Sequence, residues 1–231
     1  VIYAYLFYGQ EFPKPRISGE AAIVKNLKAC FSPVFIFMII CMAFTAISEF
    51  GPQQWTSLIL SQSGAQPLVL LALTTGTMAI GRYFGGEFVH KFDQTGVLLI
   101  SAVIAFIGLF LYSSQTGSIA YLAAIIFGAG ICYFWPNMIG FVAEKIPESG
   151  ALGMSLVGAM GMFSSAIFQP VIGGWVDSAT EKQEALGLTG DELQLAVGQS
   201  ALTNMLLFPG ILIVAFTILY FWKKRPKTVE A

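Results

Sequence analysis

The sequence predicts an all-α membrane protein with six transmembrane helices. Of its 231 residues, 56% are hydrophobic and only 11% are charged, whereas an average soluble domain carries about 25% charged residues. Too few charges remain to coat a water-facing surface, which excludes a soluble globular enzyme. The 20 Phe and 24 Gly residues indicate helices that lie in lipid and pack closely on one another. The net charge of −1 gives no basic excess for nucleic acid, and one His with three scattered Cys does not favour a metal site or another cofactor.

The six spans follow from length and hydropathy. A helix needs about 20 mostly apolar residues to cross the hydrocarbon core of a bilayer. The stretches that meet this length are at about 33–60, 67–89, 96–113, 118–143, 150–176 and 200–222. We therefore divide the chain into the end of a preceding transmembrane helix, a cytoplasmic linker with a surface helix, a six-helix bundle and a cytoplasmic tail, at 1–10, 11–32, 33–222 and 223–231. The first of these segments leads us to expect the C-terminal part of a longer protein.

Helix boundaries follow from capping residues and from Pro and Gly. Ser32 and Pro33 suit the N-cap and the first position of the first span. Before the last span, Thr180 and Thr189 each stand three residues ahead of a Gln or Glu, which is the spacing of a capping box. Gly187 fits a stop between them. We therefore expect two helix starts in this stretch.

Basic residues predict the orientation. They precede the first span and follow the second, fourth and sixth, whereas the loops on the opposite side contain only Lys182. By the positive-inside rule, the first loop and the C-terminus are cytoplasmic. We expect the protein to be integral to a bacterial cytoplasmic (inner) membrane.

The first span carries a carboxylate, Glu49, well inside its apolar run. An intramembrane carboxylate costs at least about 2–3 kcal/mol and is a functional candidate by default. Because burial favours the neutral form of a carboxyl group, Glu49 is the candidate for proton coupling. The alternative is a residue already near the outer surface, since Glu49 lies roughly 24 Å along the helix from Pro33.

A helix break is expected directly after Glu49. Pro52 cannot donate a hydrogen bond to the carbonyl of Ser48, and Gly51 adds flexibility. Broken helices in membranes line cavities or gates, so Gly51 and Pro52 are candidate gate residues. The polar side chains that follow are candidate solute ligands: Gln53, Gln54 and Trp55.

The fourth span places aromatic and amide groups near its middle. Pro136 is expected to kink this helix, and Tyr133 and Asn137 fall on one face. Aromatic faces stack on the CH groups of a sugar ring, while amides bond its hydroxyls. For Trp135 an aromatic packing core is an equal alternative. Gln169 in the fifth span could reach the same cavity or a neighbouring helix.

The second span contains the other buried charge, Arg82. Its Cβ tilts away from the cytoplasmic end of the span, which opposes snorkelling, so we expect an ionic partner inside the protein. Spans two and five also carry small residues at four-residue spacing, which let another helix approach closely. Packing within the six-helix unit and an interface with a large partner both remain open for these pairs, Gly81/Gly85 and Gly161/Ser165.

Parts of the chain resemble major facilitator superfamily transporters over about residues 30–225. The similar segments are 76–92, 130–163 and 168–175. The form T-x-x-x-E-x-G-x-x-x-W in the seventh helix of bacterial sugar-permease-like members is matched by Thr45, Glu49, Gly51 and Trp55. The resemblance implies one half of that fold, helices 7–12. Helices 7 and 10 would line the central cavity, 8 and 11 would face the N-terminal half, and 9 and 12 would face lipid.

The superfamily's loop motif, G-x-x-x-D-R-x-G-R-R, is matched only in part after the second span. Gly86 fits its first position, while His90 and Lys91 stand where Asp and Arg are usual. Asp93 replaces the second Gly. Since Glu144 lies on the same predicted membrane side, we expect it to pair with Lys91 or His90 as a latch.

Together, these features predict the C-terminal half of a secondary active transporter for a small polar organic solute, a sugar, coupled to a cation through Glu49. Its partners would be the solute, the N-terminal six-helix half and the lipid bilayer, and no enzyme activity is expected. One alternative is a self-contained six-helix oligomeric channel or membrane scaffold protein. A weaker one is a membrane enzyme with catalytic residues in 177–199, a segment without His, Cys or Arg.

Overall fold

The computed structural model describes residues 5–10, 21–59 and 64–224. Within these ranges the chain is helical without a strand, which confirms the all-α class. The α-helices are α1 (Ala21–Cys30), α2 (Pro33–Ile59), α3 (Pro67–Tyr83), α4 (Gly85–Ser114), α5 (Ser118–Ile131), α6 (Phe134–Lys145), α7 (Gly150–Ala185), α8 (Gly190–Met205) and α9 (Leu207–Lys224). A 3-10 turn, Pro147–Ser149, lies between α6 and α7. The predicted segments 1–10, 11–32 and 223–231 lie partly outside the described residues.

Within the described ranges, five helical segments are long and apolar enough to cross a membrane. They are Pro33–Trp55, Gly85–Ser114, Ser118–Lys145, Pro147–Ala185 and Gly190–Lys223. These segments give the chain the character of an integral membrane protein. The predicted span at 67–89 is not among them, because α3 ends at Tyr83 after 17 residues. Two glycines follow at 85 and 86, and glycine is a poor helix former.

Helix α4 changes direction near its start. Asp93 has non-helical backbone angles, with φ 57° and ψ 157°. Residues 85–92 and 94–114 are therefore two helical segments joined at Asp93. This turn lies in the gap between the second and third predicted spans.

Helix α2 begins where the sequence predicts and then differs from the prediction. It starts at Pro33, and the backbone N–H of Phe35 donates to the Oγ of Ser32 at 3.3 Å. The expected break at Gly51 and Pro52 is wrong, because the helix continues to Ile59 with Pro52 inside it. Pro52 has no N–H to donate to the carbonyl of Ser48, yet the helical backbone continues past it.

Helices α7 and α8 form a hairpin. The chain leaves α7 after Ala185 and turns at Gly187, whose φ of +82° is in the left-handed region that glycine favours. Helix α8 starts after Thr189, as predicted, but the Thr189 side chain makes no capping hydrogen bond, so the expected capping box is not formed. A helix start at Thr180 is wrong, because α7 runs through it and the Thr180 hydroxyl donates to the carbonyl of Val176 at 2.9 Å.

The core is a layer of large apolar side chains between α2, α4, α5, α6 and α9. Its largest fully buried members include Phe35, Met38, Phe127, Phe134 and Phe216. Beside this layer, α4 and α5 pack backbone against backbone. A Cβ added at Gly130 would overlap the backbone of Ala105, and one at Gly108 would overlap that of Phe127. This contact fixes the C-terminal end of α5, where the candidate site begins.

Helix α7 is the most exposed of the five spanning segments. Only 22% of its most apolar window is buried, against 56% for α4. Its exposed apolar side chains include Met162, Phe163 and Ile167. Three of its glycines have open space where a Cβ would project: Gly158, Gly173 and Gly174. An apolar face lined with small residues is therefore left unpacked within this unit.

Candidate functional site

The candidate site is centred on an ion pair between α2 and α3. Glu49 is buried, with 6% of its side chain exposed, and its Oε1 lies 3.7 Å from Nη2 of Arg82. The Arg82 side chain is 41% exposed, so the pair lies at the edge of the packed unit. The other carboxylate oxygen of Glu49, Oε2, has no hydrogen-bond partner among the described residues. Both predicted buried charges thus belong to one site.

Arg82 also binds the chain where α5 ends and α6 begins. Its Nε donates to the carbonyl of Cys132 at 3.0 Å. In a continuous helix the N–H four residues later would bond to that carbonyl, but residue 136 is a proline and has no N–H. The missing helical bond therefore leaves an acceptor for the guanidinium. A second bond runs the other way, since the Tyr133 hydroxyl donates to the carbonyl of Gly81 at 2.7 Å.

Helix geometry explains why Glu49 and Arg82 reach each other. The Cβ of every helical residue tilts toward the N-terminus of its own helix. Where two neighbouring helices are antiparallel, their side chains tilt in opposite directions along the helix axes, so a residue on each helix can lean toward the other. The long Arg82 side chain then covers the remaining distance to the carboxylate.

Other predicted solute ligands find partners within the unit. Trp55 Nε1 donates to Oε1 of Gln169 at 2.8 Å, which links α2 to α7. Gln53 Nε2 lies 3.6 Å from the sulfur of Met78 on α3. Gln54 is exposed. The structure therefore joins Gln169 to a neighbouring helix, one of the two outcomes left open by the sequence.

Of the two predicted ligands on α6, Asn137 is buried and Trp135 is half-buried. The ring of Trp135 packs against Gly161 of α7 so closely that a Cβ added to Gly161 would lie 2.6 Å from it. The centroid of the Trp135 ring is 5.9 Å from the centroid of the Phe50 ring. Asn137 is 4% exposed. For Trp135 and Gly161 the structure thus favours packing within the unit.

Several buried polar atoms lack hydrogen-bond partners among the described residues, and most of them belong to predicted site residues. They are Glu49 Oε2, Trp135 Nε1, Asn137 Nδ2 and Gln169 Nε2, together with Gln94 Oε1 and Ser164 Oγ. Buried polar groups in proteins are almost always paired. Four of these six atoms belong to residues chosen from the sequence as solute ligands. Such groups are available to a bound molecule or to water.

The expected cytoplasmic latch is not formed among the described residues. Glu144 pairs with its neighbour Lys145 at 3.8 Å, and the Lys91 ammonium lies 5.5 Å above the ring of Phe92. The ends of the helices are joined instead by an ion pair between Asp93 and Lys223. Sequence position gives the membrane side of a charge but not which of several nearby partners it meets.

A cavity of about 300 Å³ adjoins the Arg82 junction without containing the ion pair. It is lined mainly by apolar side chains of α3, α4 and α5, among them Ile80, Phe84 and Ile104. Cys132 and Tyr133 form its inner edge. Its chemistry suits an apolar occupant better than a hydroxyl-rich one.

Sequence reasoning missed the carbonyl of Cys132 and the buried side chain of Gln94. The free carbonyl of Cys132 could have been found from the sequence, because Pro136 has no N–H to bond to it as a helical residue would. No comparable signal marks Gln94, which is 4% exposed and lies beside Gly140 on α6.

No family model matches the chain, and neither the curated proteins nor the solved structures compared with it give a match.

Proposed function

We propose that this chain is the C-terminal six-helix half of a secondary active transporter of the major facilitator type. Its solute would be a small polar organic molecule, a sugar, moved by alternating access and coupled to protons through Glu49. The transporter would lie in a bacterial cytoplasmic membrane with its C-terminus in the cytoplasm. The observation that carries the proposal is the ion pair of Glu49 and Arg82 between two helices of a membrane protein.

The ion pair supplies a coupling mechanism. Protonation of Glu49 removes its negative charge and with it the attraction to Arg82, which is strong where water is scarce. Arg82 also holds the Cys132 carbonyl at the junction of α5 and α6. A change of charge at Glu49 would thus pass through one side chain to α6. That helix carries Trp135 and Asn137, and Tyr133 is the residue directly before it.

The solute would bind next to this pair. Trp135, Asn137 and Gln169 offer N–H donors that no described residue uses, and Glu49 offers an acceptor oxygen. A sugar presents hydroxyls that both accept and donate, together with an apolar ring face. Gln53, Gln54 and Trp55, on the next turns of α2, would contact the same solute as the cavity closes.

The exposed faces of α3 and α7 support the proposal of a second half. Apolar patches that lack a partner within a protein mark interaction sites, and lipid is one possible cover. Glycines with open space favour a helix instead, because they allow close backbone approach between helices in a membrane. We therefore place the N-terminal six-helix half against the glycines of α7 and the exposed face of α3.

The test is uptake of labelled sugars into vesicles that contain the complete transporter, with Glu49→Gln as the variant. Glutamine resembles the protonated carboxyl, so the variant should exchange solute across the membrane but fail to accumulate it in response to a pH gradient. Glu181→Gln, an exposed position on α7, is the matched control and should behave as the unaltered protein.

Accumulation by Glu49→Gln equal to that of the control would show that the carboxylate is structural. The same assay separates a transporter half from a self-contained channel. The six-helix unit alone should give no saturable uptake, and co-expression with the other half should restore it. Saturable uptake by the unit alone would favour the channel.

A further inference from the structure

The hairpin of α7 and α8 encloses a crevice that takes no part in the site around Glu49. Its volume is about 630 Å³, within the range of about 300–1,000 Å³ typical of small-molecule sites. The crevice starts at Trp175, six residues beyond Gln169, or roughly 9 Å farther along α7. Its polar walls are formed by Ser178, Lys182, Gln183, Gln199, Ser200 and Asn204.

The facing surfaces of the two helices are unusual in their polarity. Trp175, Ser178 and Lys182 recur at helical spacing on one face of α7, as Gln199 and Thr203 do on α8. The facing stripes of two packed helices normally consist of apolar side chains. The chain has 56% hydrophobic and 11% charged residues. In such a chain, a concentration of amides and hydroxyls between two helices indicates a binding site.

The chemistry of the walls selects the class of ligand. Amides and hydroxyls each donate and accept, as the hydroxyls of a sugar do. The ring of Trp175, packed 5.6 Å from the ring of Phe208, offers an apolar surface at the inner end of the crevice. None of the residues that line the crevice is acidic, and one, Lys182, is basic.

The surrounding charges disfavour an anion. Asp177, Glu181 and Glu184 are exposed on the same helix without lining the crevice. These three carboxylates outnumber the one ammonium of Lys182 on this part of α7, and the resulting negative potential repels phosphates and carboxylates. A neutral ligand avoids this repulsion and still hydrogen-bonds to Lys182.

We propose that the crevice between α7 and α8 binds a neutral polyhydroxylated molecule of mono- or disaccharide size, at a site separate from Glu49. A free sugar and the head group of a glycolipid present the same hydroxyls, and the site accepts this chemistry from either source. This site does not require that the Glu49 site transports anything.

The experiment measures protection of an introduced cysteine from a water-soluble maleimide. The three natural cysteines are buried. Ser200→Cys places a thiol in the crevice, and Gln194→Cys places one on the exposed side of the same helix. The whole protein is kept in a detergent without a sugar head group. Neutral mono- and disaccharides should slow alkylation at position 200 several-fold and leave position 194 unchanged, while sugar phosphates should protect less.

A second variant tests the walls. Gln183→Leu combined with Gln199→Leu, in the Ser200→Cys background, should abolish protection, whereas Gln194→Leu should preserve it. Should Ser200→Cys fail to fold, Asn204→Cys reports on the same crevice. Protection by an alkyl glycoside but not by the free sugar would support the site and identify a glycolipid head group as its ligand.

Three results would overturn the proposal: no protection by any neutral sugar or alkyl glycoside, equal protection at position 194, or stronger protection by sugar phosphates. Glu49→Gln separates this site from the transport site, because protection at position 200 should persist in that variant. Loss of protection there would show that the sugar acts through Glu49 and that the crevice is not a separate site.

Discussion

Among the described helical segments, three contain a proline near their middle, and they respond to it in two different ways. Helix α7 runs unbroken through Pro170. Helix α2 runs unbroken through Pro52. The fourth predicted span divides into α5 and α6, with Cys132 and Tyr133 between them, just before Pro136. In each case the proline removes one backbone hydrogen bond, so the proline alone does not decide whether the helix breaks.

The difference lies in what surrounds each proline. The turn around Pro52 is buried, and the nearest atoms to a Cβ at Gly51 would be methyl groups of Ile172 and Ile47. At Pro136, the vacant Cys132 carbonyl accepts from Arg82, and the Tyr133 hydroxyl bonds α3 in return. The break before Pro136 is therefore held by polar contacts with α3, whereas Gly51, next to Pro52, faces aliphatic side chains.

The largest effect should come from the backbone contact that precedes the break. Gly130→Ala would push a methyl group into the backbone of Ala105, and overpacking typically costs about 1–3 kcal/mol. We expect a lower thermal unfolding midpoint in detergent together with loss of uptake.

Gly51→Ala is the matched control in α2. Its new methyl would lie 3.2 Å from the end of the Ile172 side chain, which would have to move by only a few tenths of an ångström. Alanine is also a better helix former than glycine by about 1 kcal/mol. Its stability should therefore change little. Equal destabilisation by the two substitutions would contradict the difference between the two helices.

An intermediate effect should follow from exchanging the prolines. Pro136→Ala restores an N–H that competes with Arg82 for the Cys132 carbonyl, and a net hydrogen bond is worth about 1 kcal/mol. We expect slower uptake with little loss of stability, because the helical bond replaces the one to Arg82. Pro52→Ala meets no such competitor and should leave uptake unchanged. Slower uptake in Pro52→Ala alone would restore the gate at Gly51 and Pro52 that the sequence predicts.

The sequence was sufficient for features that depend on one stretch of chain. The all-helical class, the start of α2 at Pro33 and the start of α8 after Thr189 follow from composition and from the residues preferred at helix starts, which act within a few residues. The prediction of a break at Pro52 was wrong. The sequence shows that Pro52 removes a hydrogen bond within α2, but it does not show that α7 packs against this turn and supports the helix.

The site shows the same limit more clearly. Glu49 and Arg82 each stood out as a charge inside an apolar span, and the structure pairs them. Their pairing could not be predicted, because periodicity along one helix does not give the neighbours or the relative depth of two helices. Glu144 was assigned to Lys91 for the same reason and meets Lys145 instead.

The smallest effect is expected at a third interruption, which owes nothing to a proline. Asp93 has a φ of 57°, in the region that glycine favours, and it stands at the glycine position of the superfamily's loop motif. The Thr95 hydroxyl donates to its Oδ2 at 2.8 Å, and the Lys223 ammonium pairs with the same oxygen. Asp93 thus combines an unfavourable backbone conformation with two side-chain contacts that hold it.

Three substitutions separate these contributions. Asp93→Ala loses the contacts and keeps the strained backbone, which costs about 1 kcal/mol or more, while Asp93→Gly loses the contacts and relieves the strain. Alanine should therefore lower the unfolding midpoint more than glycine does. Lys223→Gln removes only the ion pair, whose side chains are 35% and 47% exposed, so its effect should be at most about 1 kcal/mol and should disappear in high salt. Equal midpoints for Ala and Gly would show that the ion pair, rather than the backbone, determines this turn.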